Sequence, residues 1–225
     1  MAEDWGEFVD QLLGRPQAVE MNPRVVAGRE AYDQGDLGEA RRLFPRKHRA
    51  EKRALSVLGR GGSPREAFEA ISPAQRRIWV SAWQSWIFNA VLHERVADDT
   101  FDRLLPGDVG QLEESGAFFG ATGSDGDGAL AATGRAAPTG PLVGYDMRYA
   151  GGEPGRLEQR LATEAGAEPE DFRKVQVRAR GARRPLRILL KEASIEPEDD
   201  STVVVRFVLP PGAFATVVLE HLMAG

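Results

Sequence analysis

Apolar positions recur at helical spacing over roughly the first hundred residues, then give way beyond Arg95 to short alternating pieces. Val25, Val26, Ala31 and Tyr32 lead into "QGDLGEARRLF", where Leu37, Ala40, Leu43 and Phe44 mark one helical face and Asp36 is placed to cap it. Pro45 lacks an amide proton and clashes with the preceding turn, so that helix ends and another begins in "RKHRAEKRALSVL". Ser63 and Pro64 open the next: the hydroxyl accepts a free first-turn amide and the ring presets the first helical angle. Ser72 and Pro73 open the longest. In it Ile78, Trp79, Ala82, Trp83, Trp86, Ile87, Ala90, Val91 and Leu92 form a stripe broad enough to predict a largely buried helix.

The second half reads differently. "RLLPGDVGQLEESGAFFGAT" predicts short strands, with PGD and ESG as turns, and "GSDGDGALAATGRAAPTGPLVGYDM" predicts a long ordered loop. "GRLEQRLATEAG" and "EPEDFRKV" return to helix, with Gly166 as a stop. An alternating strand over Thr202–Leu209 is followed by a turn and a closing helix. No internal repeat is present, and the fold class is mixed α/β, helices with short strands.

Composition narrows the chemistry. With 225 residues, 42% of them hydrophobic and 28% charged, the chain suits a globular protein with a packed core. There is no cysteine, which excludes a disulfide, a thiolate zinc site and a cysteine nucleophile, and favours a reducing compartment. His48, His93 and His221 are scattered without ligand spacing, so no metal site is expected. Asp125 and Asp127 are arranged like part of a calcium loop, but the closing glutamate is missing, which leaves a loop turn as their use. The first residues are acidic where a signal peptide is basic, and no stretch approaches the roughly 20 apolar residues of a membrane span. A cytoplasmic protein without a membrane partner is expected.

The net charge of −5 argues against a nucleic-acid partner, yet the cations are clustered. Arg41, Arg42, Arg46, Lys47, Arg49, Lys52 and Arg53 stand together with only Glu51 among them, and a second cluster runs from Arg173 and Lys174 to Arg183, Arg184 and Arg187. Each fits either a solvated helix face or a surface that follows a phosphate backbone.

Two further stretches carry candidate chemistry. In "SAWQSWIFNAVLHER", Ser81, Ser85 and Asn89 recur at four-residue spacing and share a face, which suits hydrogen bonding between packed helices; no base is arranged to activate either serine. In "LPPGAFATVVLE", a proline-glycine turn places Phe214 at the mouth of the closing helix. There it can either fill a core or stack on a base, beside amides that suit an anion.

Taken together, Ser81-Ala82-Trp83-Gln84-Ser85-Trp86-Ile87-Phe88-Asn89 and Leu209-Pro210-Pro211-Gly212-Ala213-Phe214-Ala215-Thr216 resemble the TruD family of tRNA pseudouridine synthases. The likeness continues through "LLPGD", "PTGPLVG" and "RRPLRILL" and covers about Asn22 to Met223, leaving 1–21 unmatched. The resemblance implies a TRUD domain over 22–190, inserted into a pseudouridine-synthase domain whose last strand, turn and helix are 191–225. It also implies action on uridine 13 of tRNA without a cofactor, with Phe214 contacting the target uridine. The clusters Arg41, Arg42, Arg46, Lys47, Arg49, Arg173, Lys174, Arg183 and Arg184 become the expected tRNA-backbone contacts. The family's nucleophilic aspartate lies in a G-x-K-D motif that this sequence lacks, so no catalytic residue is assigned. The expectation is the C-terminal portion of such an enzyme, completed by a separate N-terminal polypeptide that carries the aspartate. The alternatives are a non-catalytic RNA-binding module and an inactive fragment whose Thr202–Leu209 strand has no sheet neighbour.

Overall fold

The structure, a computed structural model, describes residues 4–167, 172, 179–210 and 213–223. They divide into two units, one of Met1–Trp86, Val143–Met147 and Ala162–Gly181, the other of Ile87–Leu142, Arg148–Leu161 and Ala182–Gly225. Helices and small antiparallel sheets make up a mixed α/β architecture.

The first unit is helical: α1 (Trp5–Leu13), α2 (Pro23–Asp33), α3 (Leu37–Leu43), α4 (Arg49–Leu58), α5 (Pro64–Glu69) and the first part of α6 (Pro73–Ala97). Each start has a local cause. Asp4, Asn22 and Asp36 accept first-turn amides, and Ser63 forms a reciprocal capping box with Glu66. Val9 and Leu13 of α1 are buried in one cluster with Val25, Phe44 and Leu55, each such side chain worth about 1.5–3 kcal/mol when withdrawn from water. Polar contacts then fix α1 against α2. Tyr32 donates to Asp10 at 2.8 Å, and Arg29 donates to the Gly14 carbonyl at 2.6 Å.

Two loops of this unit are tied to α6. Gln84, buried, donates through Nε2 to the Val143 carbonyl at 2.7 Å. The backbone of Tyr145 bonds that of Ala179 and Gly181, at 3.1 and 2.8 Å. The segments approach so closely that a Cβ on Gly144 would stand 2.5 Å from the Ala179 oxygen and 2.6 Å from the Gly181 nitrogen. Glycine is the residue that permits this approach.

In the second unit, β1 (Val109–Leu112), β2 (Phe118–Gly120), β3 (Ala136–Leu142) and β4 (Ala182–Pro185) form an antiparallel sheet in the order β2-β1-β3-β4. β3 contains Pro138 and Pro141, which cannot donate to a ladder. It tolerates them because β1 pairs with 136–138 and β4 with 139–142, so neither proline lies in a stretch paired on both sides. Helix α7 (Asp125–Ala132) packs Ala131 with Leu104, Ala121 and Ala136.

Two buried ion pairs anchor this unit. Arg95 meets Asp108 at 2.9 and 3.0 Å, and Asp108 also accepts from the Leu105 amide. From α8 (Gly152–Glu164), Glu158 meets Arg183 of β4 at 2.7 and 2.8 Å. A two-stranded ribbon, β5 (Lys191–Pro197) with β6 (Val203–Val208), precedes α9 (Ala215–Met223).

Four expectations need correction. The stretch expected to be a long loop holds helix α7 over Asp125–Ala132 and strand β3 over Ala136–Leu142, the helix because Ser124 and Asp127 form a capping box that offsets its glycines. The α6 stripe is not largely buried: Ile78 is 61% and Trp86 59% exposed, and Ala82 is exposed, while Arg76, Gln84 and Arg95 are buried. Ser81 and Asn89 are exposed, so the buried hydrogen bond of that motif belongs to Gln84. The strand near the end has a neighbour, since β5 pairs with β6 from Lys191↔Val208 to Pro197↔Val203.

Candidate nucleic-acid interface

The first basic cluster occupies the end of α3, the turn at Pro45 and the start of α4. Phe44 and Ala50 point into the core of the helical unit, and Arg41, Arg42, Arg46, Lys47, Arg49 and Arg53 point outward. The apolar positions that set the helix registers thereby force the cations to the surface. Arg42 is committed to Glu39, which it meets at 2.6 and 2.5 Å, and this raises the arginine further and lowers the glutamate. Among the described residues no carboxylate pairs with Arg41, Arg46, Lys47, Arg49 or Arg53. His48 Nδ1 lies 3.0 Å from Glu51, the one acid within the run.

Lys52 is half-buried and donates to the Arg41 carbonyl at 2.7 Å. Its ammonium is held below the ordinary lysine value, first by partial burial and then by the positive potential of Arg41, Arg24 and Arg46. Apart from Glu39 and Glu51, which meet Arg42 and His48, the charged side chains of this run are cations, a concentration that the net charge of −5 conceals. Arg24, on the first turn of α2, is the member that the charge run leaves out, because it lies 17 positions before Arg41.

The second cluster divides. Arg173 and Lys174 lie outside the described residues. Arg183 is corrected from surface cation to internal anchor: its side chain is 5% exposed and bonds Glu158, the Thr139 hydroxyl at 2.9 Å and the Thr139 carbonyl. A guanidinium saturated in this way has no donor left for a phosphate. Arg184, the next residue, points away from that network and is exposed, with its guanidinium 5.1 Å from the Phe88 ring centre.

Phe214 precedes the first turn of α9, and its carbonyl accepts from Val217 at 3.2 Å. Its ring is 71% exposed, so it is not a core residue among the described contacts and is open to a flat ligand. The family-like motifs elsewhere resolve into scaffold: Asp108 of "LLPGD" in a buried ion pair, Thr139 of "PTGPLVG" donating to the Val109 carbonyl at 2.6 Å, and Gly144 in the close loop contact. Asp127 accepts from the amides of Thr122 and Gly123 and from the Thr122 hydroxyl, bonds that hold its carboxyl below the usual range. It is a helix cap. Among the described residues no group of three or more potential ligands is placed to hold a metal ion, and no helix is long and apolar enough to cross a membrane.

Comparison with known proteins gives one consistent result. The sequence model of TruD, tRNA pseudouridine synthase D, matches residues 1–222, so the segment 1–21, expected to lie outside the likeness, belongs to it. The tRNA pseudouridine synthase D of Geobacter sulfurreducens is 38% identical over 227 residues, covering 99% of this chain and 54% of that protein. That of Geobacter metallireducens is 36% identical, covering 100% and 55%. The chain spans about half the length of the curated relatives it matches. A Methanosarcina mazei protein assigned as tRNA pseudouridine synthase D shares the fold, with a TM-score of 0.82 at 24% identity over 98% of this chain and 55% of its own. With a match that runs over nearly its whole length, the chain belongs to the TruD family of tRNA pseudouridine synthases.

Proposed function

We propose that this chain works within a TruD-type tRNA pseudouridine synthase that isomerises uridine 13 of tRNA in the cytoplasm. The N1–C1′ bond of the uridine breaks and a C5–C1′ bond forms, while the proton lost from C5 is balanced by one gained at N1. The observation that carries the reading is the family match over residues 1–222. Two features support a division of labour. The cations Arg41, Arg46, Lys47 and Arg49, which pair with no carboxylate among the described residues, suit contacts to the tRNA backbone together with Arg184, and the exposed Phe214 ring suits contact with the target uridine.

The same reading takes 22–190 as the RNA-gripping domain and 191–225 as the last elements of the catalytic one. The nucleophilic aspartate is supplied from outside these residues, by a polypeptide that carries the G-x-K-D motif missing from this sequence. The test is pseudouridine formation on an unmodified tRNA transcript by the purified chain, alone and mixed with a polypeptide bearing that motif. Silence alone and activity on mixing is the expected result. Silence in both would refute the reading, and activity alone would place the nucleophile within this sequence.

A further inference from the structure

The packing of α2 on α3 extends the cationic surface beyond the charge run in the sequence. Gly28 packs directly against α3 and the residue that ends it: a Cβ there would lie 3.1 Å from the Phe44 ring and 3.5 Å from the Ala40 carbonyl. Arg24 is one helical turn before Gly28 and so shares its face of α2. Arg41 follows Ala40 directly, and Arg46 follows Phe44 by two residues. The contact at Gly28 therefore brings the exposed start of α2 beside the end of α3 and the Pro45 turn. Lys52 completes the group from α4, fastened by its bond to the Arg41 carbonyl.

We infer that Arg24, Arg41, Arg46 and Lys52 form one phosphate-binding site for an RNA backbone, drawn from three helices, with Arg24 as its wall on α2. The inference rests on the functional reading above for the identity of the ligand. Among the described residues no carboxylate pairs with any of the four, whereas Arg42 and Arg65 are matched by Glu39 and Glu69. Lys52 holds its proton less tightly than an ordinary lysine, first because it is partly buried and then because Arg41, Arg24 and Arg46 stand near enough to repel it. A phosphodiester relieves that repulsion. Three planar guanidinium groups can each take two phosphate oxygens, and the lysine adds a point charge.

The experiment measures binding of an unmodified tRNA transcript to the full chain over a salt series, for the wild type, Arg24→Gln, Arg24→Lys and Arg65→Gln. Circular dichroism confirms that each variant is folded. Arg24→Gln should bind roughly tenfold more weakly at low salt and reduce the slope of log K against log salt by about one. Arg24→Lys should restore most of the slope, and Arg65→Gln, which removes the same charge from a paired site, should change neither quantity. Salt-dependent binding by the wild type with an unchanged Arg24→Gln overturns this site and leaves the functional reading standing. Loss of the same size in Arg65→Gln also overturns it, because net charge alone would then suffice. Absence of tRNA binding by the wild type removes both.

Discussion

Replacing Glu158 by Gln should destabilise the protein more than any surface charge substitution on the same helix. The amide keeps the shape of the carboxylate, so the change isolates charge from packing. Glu158 and Arg183 are 2% and 5% exposed, and the carboxylate takes two bonds from the guanidinium and one from the Ala150 amide at 3.0 Å. Without its negative charge, Arg183 remains buried with only the oxygens of Thr139 and Arg148 and a neutral amide around it. Breaking one side of a buried pair costs about 3–5 kcal/mol. For a chain of this size each kcal/mol moves the melting temperature by roughly 2–4 °C, which gives a fall of roughly 6–20 °C. The control lies earlier in α8: Glu153 pairs with Arg156 at the surface, where such pairs are worth about 0–1 kcal/mol. Thermal unfolding of Glu158→Gln, Glu153→Gln and the double variant Arg183→Met/Glu158→Leu reads all three terms. The double variant should lose less than Glu158→Gln because no unpaired charge remains. Equal shifts for the two single variants, or a double variant worse than Glu158→Gln, would refute the argument.

Phe214→Ala, assayed in the complete enzyme, should lower kcat/KM for tRNA about 5- to 150-fold, the range that one stacking contact of roughly 1–3 kcal/mol spans. It should leave the melting temperature nearly unchanged because the ring is exposed; wild-type turnover would remove Phe214 from the site. Gly144→Ala should cost about 1–3 kcal/mol in urea unfolding, since the new methyl meets backbone atoms of 179–181, and an unchanged midpoint would show that the loops part without penalty. The Glu7 carboxyl is lowered from 4.5 to about 2, chiefly by its hydrogen bonds from Arg15 and then Gln11. With the folded value below the unfolded one, its stabilisation is complete above pH 4.5 and lost as pH falls towards 2. A carboxyl titration followed by NMR should show that low midpoint, and Arg15→Gln should return it towards the ordinary range.

Where a local signal sufficed, the sequence was legible. Asp36 and Ser63 start helices and Pro45 ends one for reasons contained within four residues, and these elements stand where the pattern puts them. Helix α7 was not legible, because Gly126 and Gly128 lower its propensity and the carboxylate that rescues it could be read equally well as a turn residue. The role of Arg183 was hidden for another reason. Its partner Glu158 is 25 positions away, and a run of like charges says nothing about which member a distant acid will withdraw from the surface. Arg24 was missed in the opposite sense: only the helix contact at Gly28 joins it to the cluster. Periodicity also overstated the burial of α6, since it identifies an apolar face and not what covers that face.

The divided pairing of β3 also governs how the sheet can misalign. A strand with alternating faces can slip by one residue and keep most of its ladder, turning every side chain to the wrong side. Here a one-residue slip of β3 would swing Thr139 away from the Val109 carbonyl and from Arg183, breaking two bonds at 2.6 and 2.9 Å. It would also move Pro138 and Pro141 to positions where the ladder needs an amide proton. The two prolines act as detents: they contribute little to holding the native alignment and make the neighbouring ones hard to occupy.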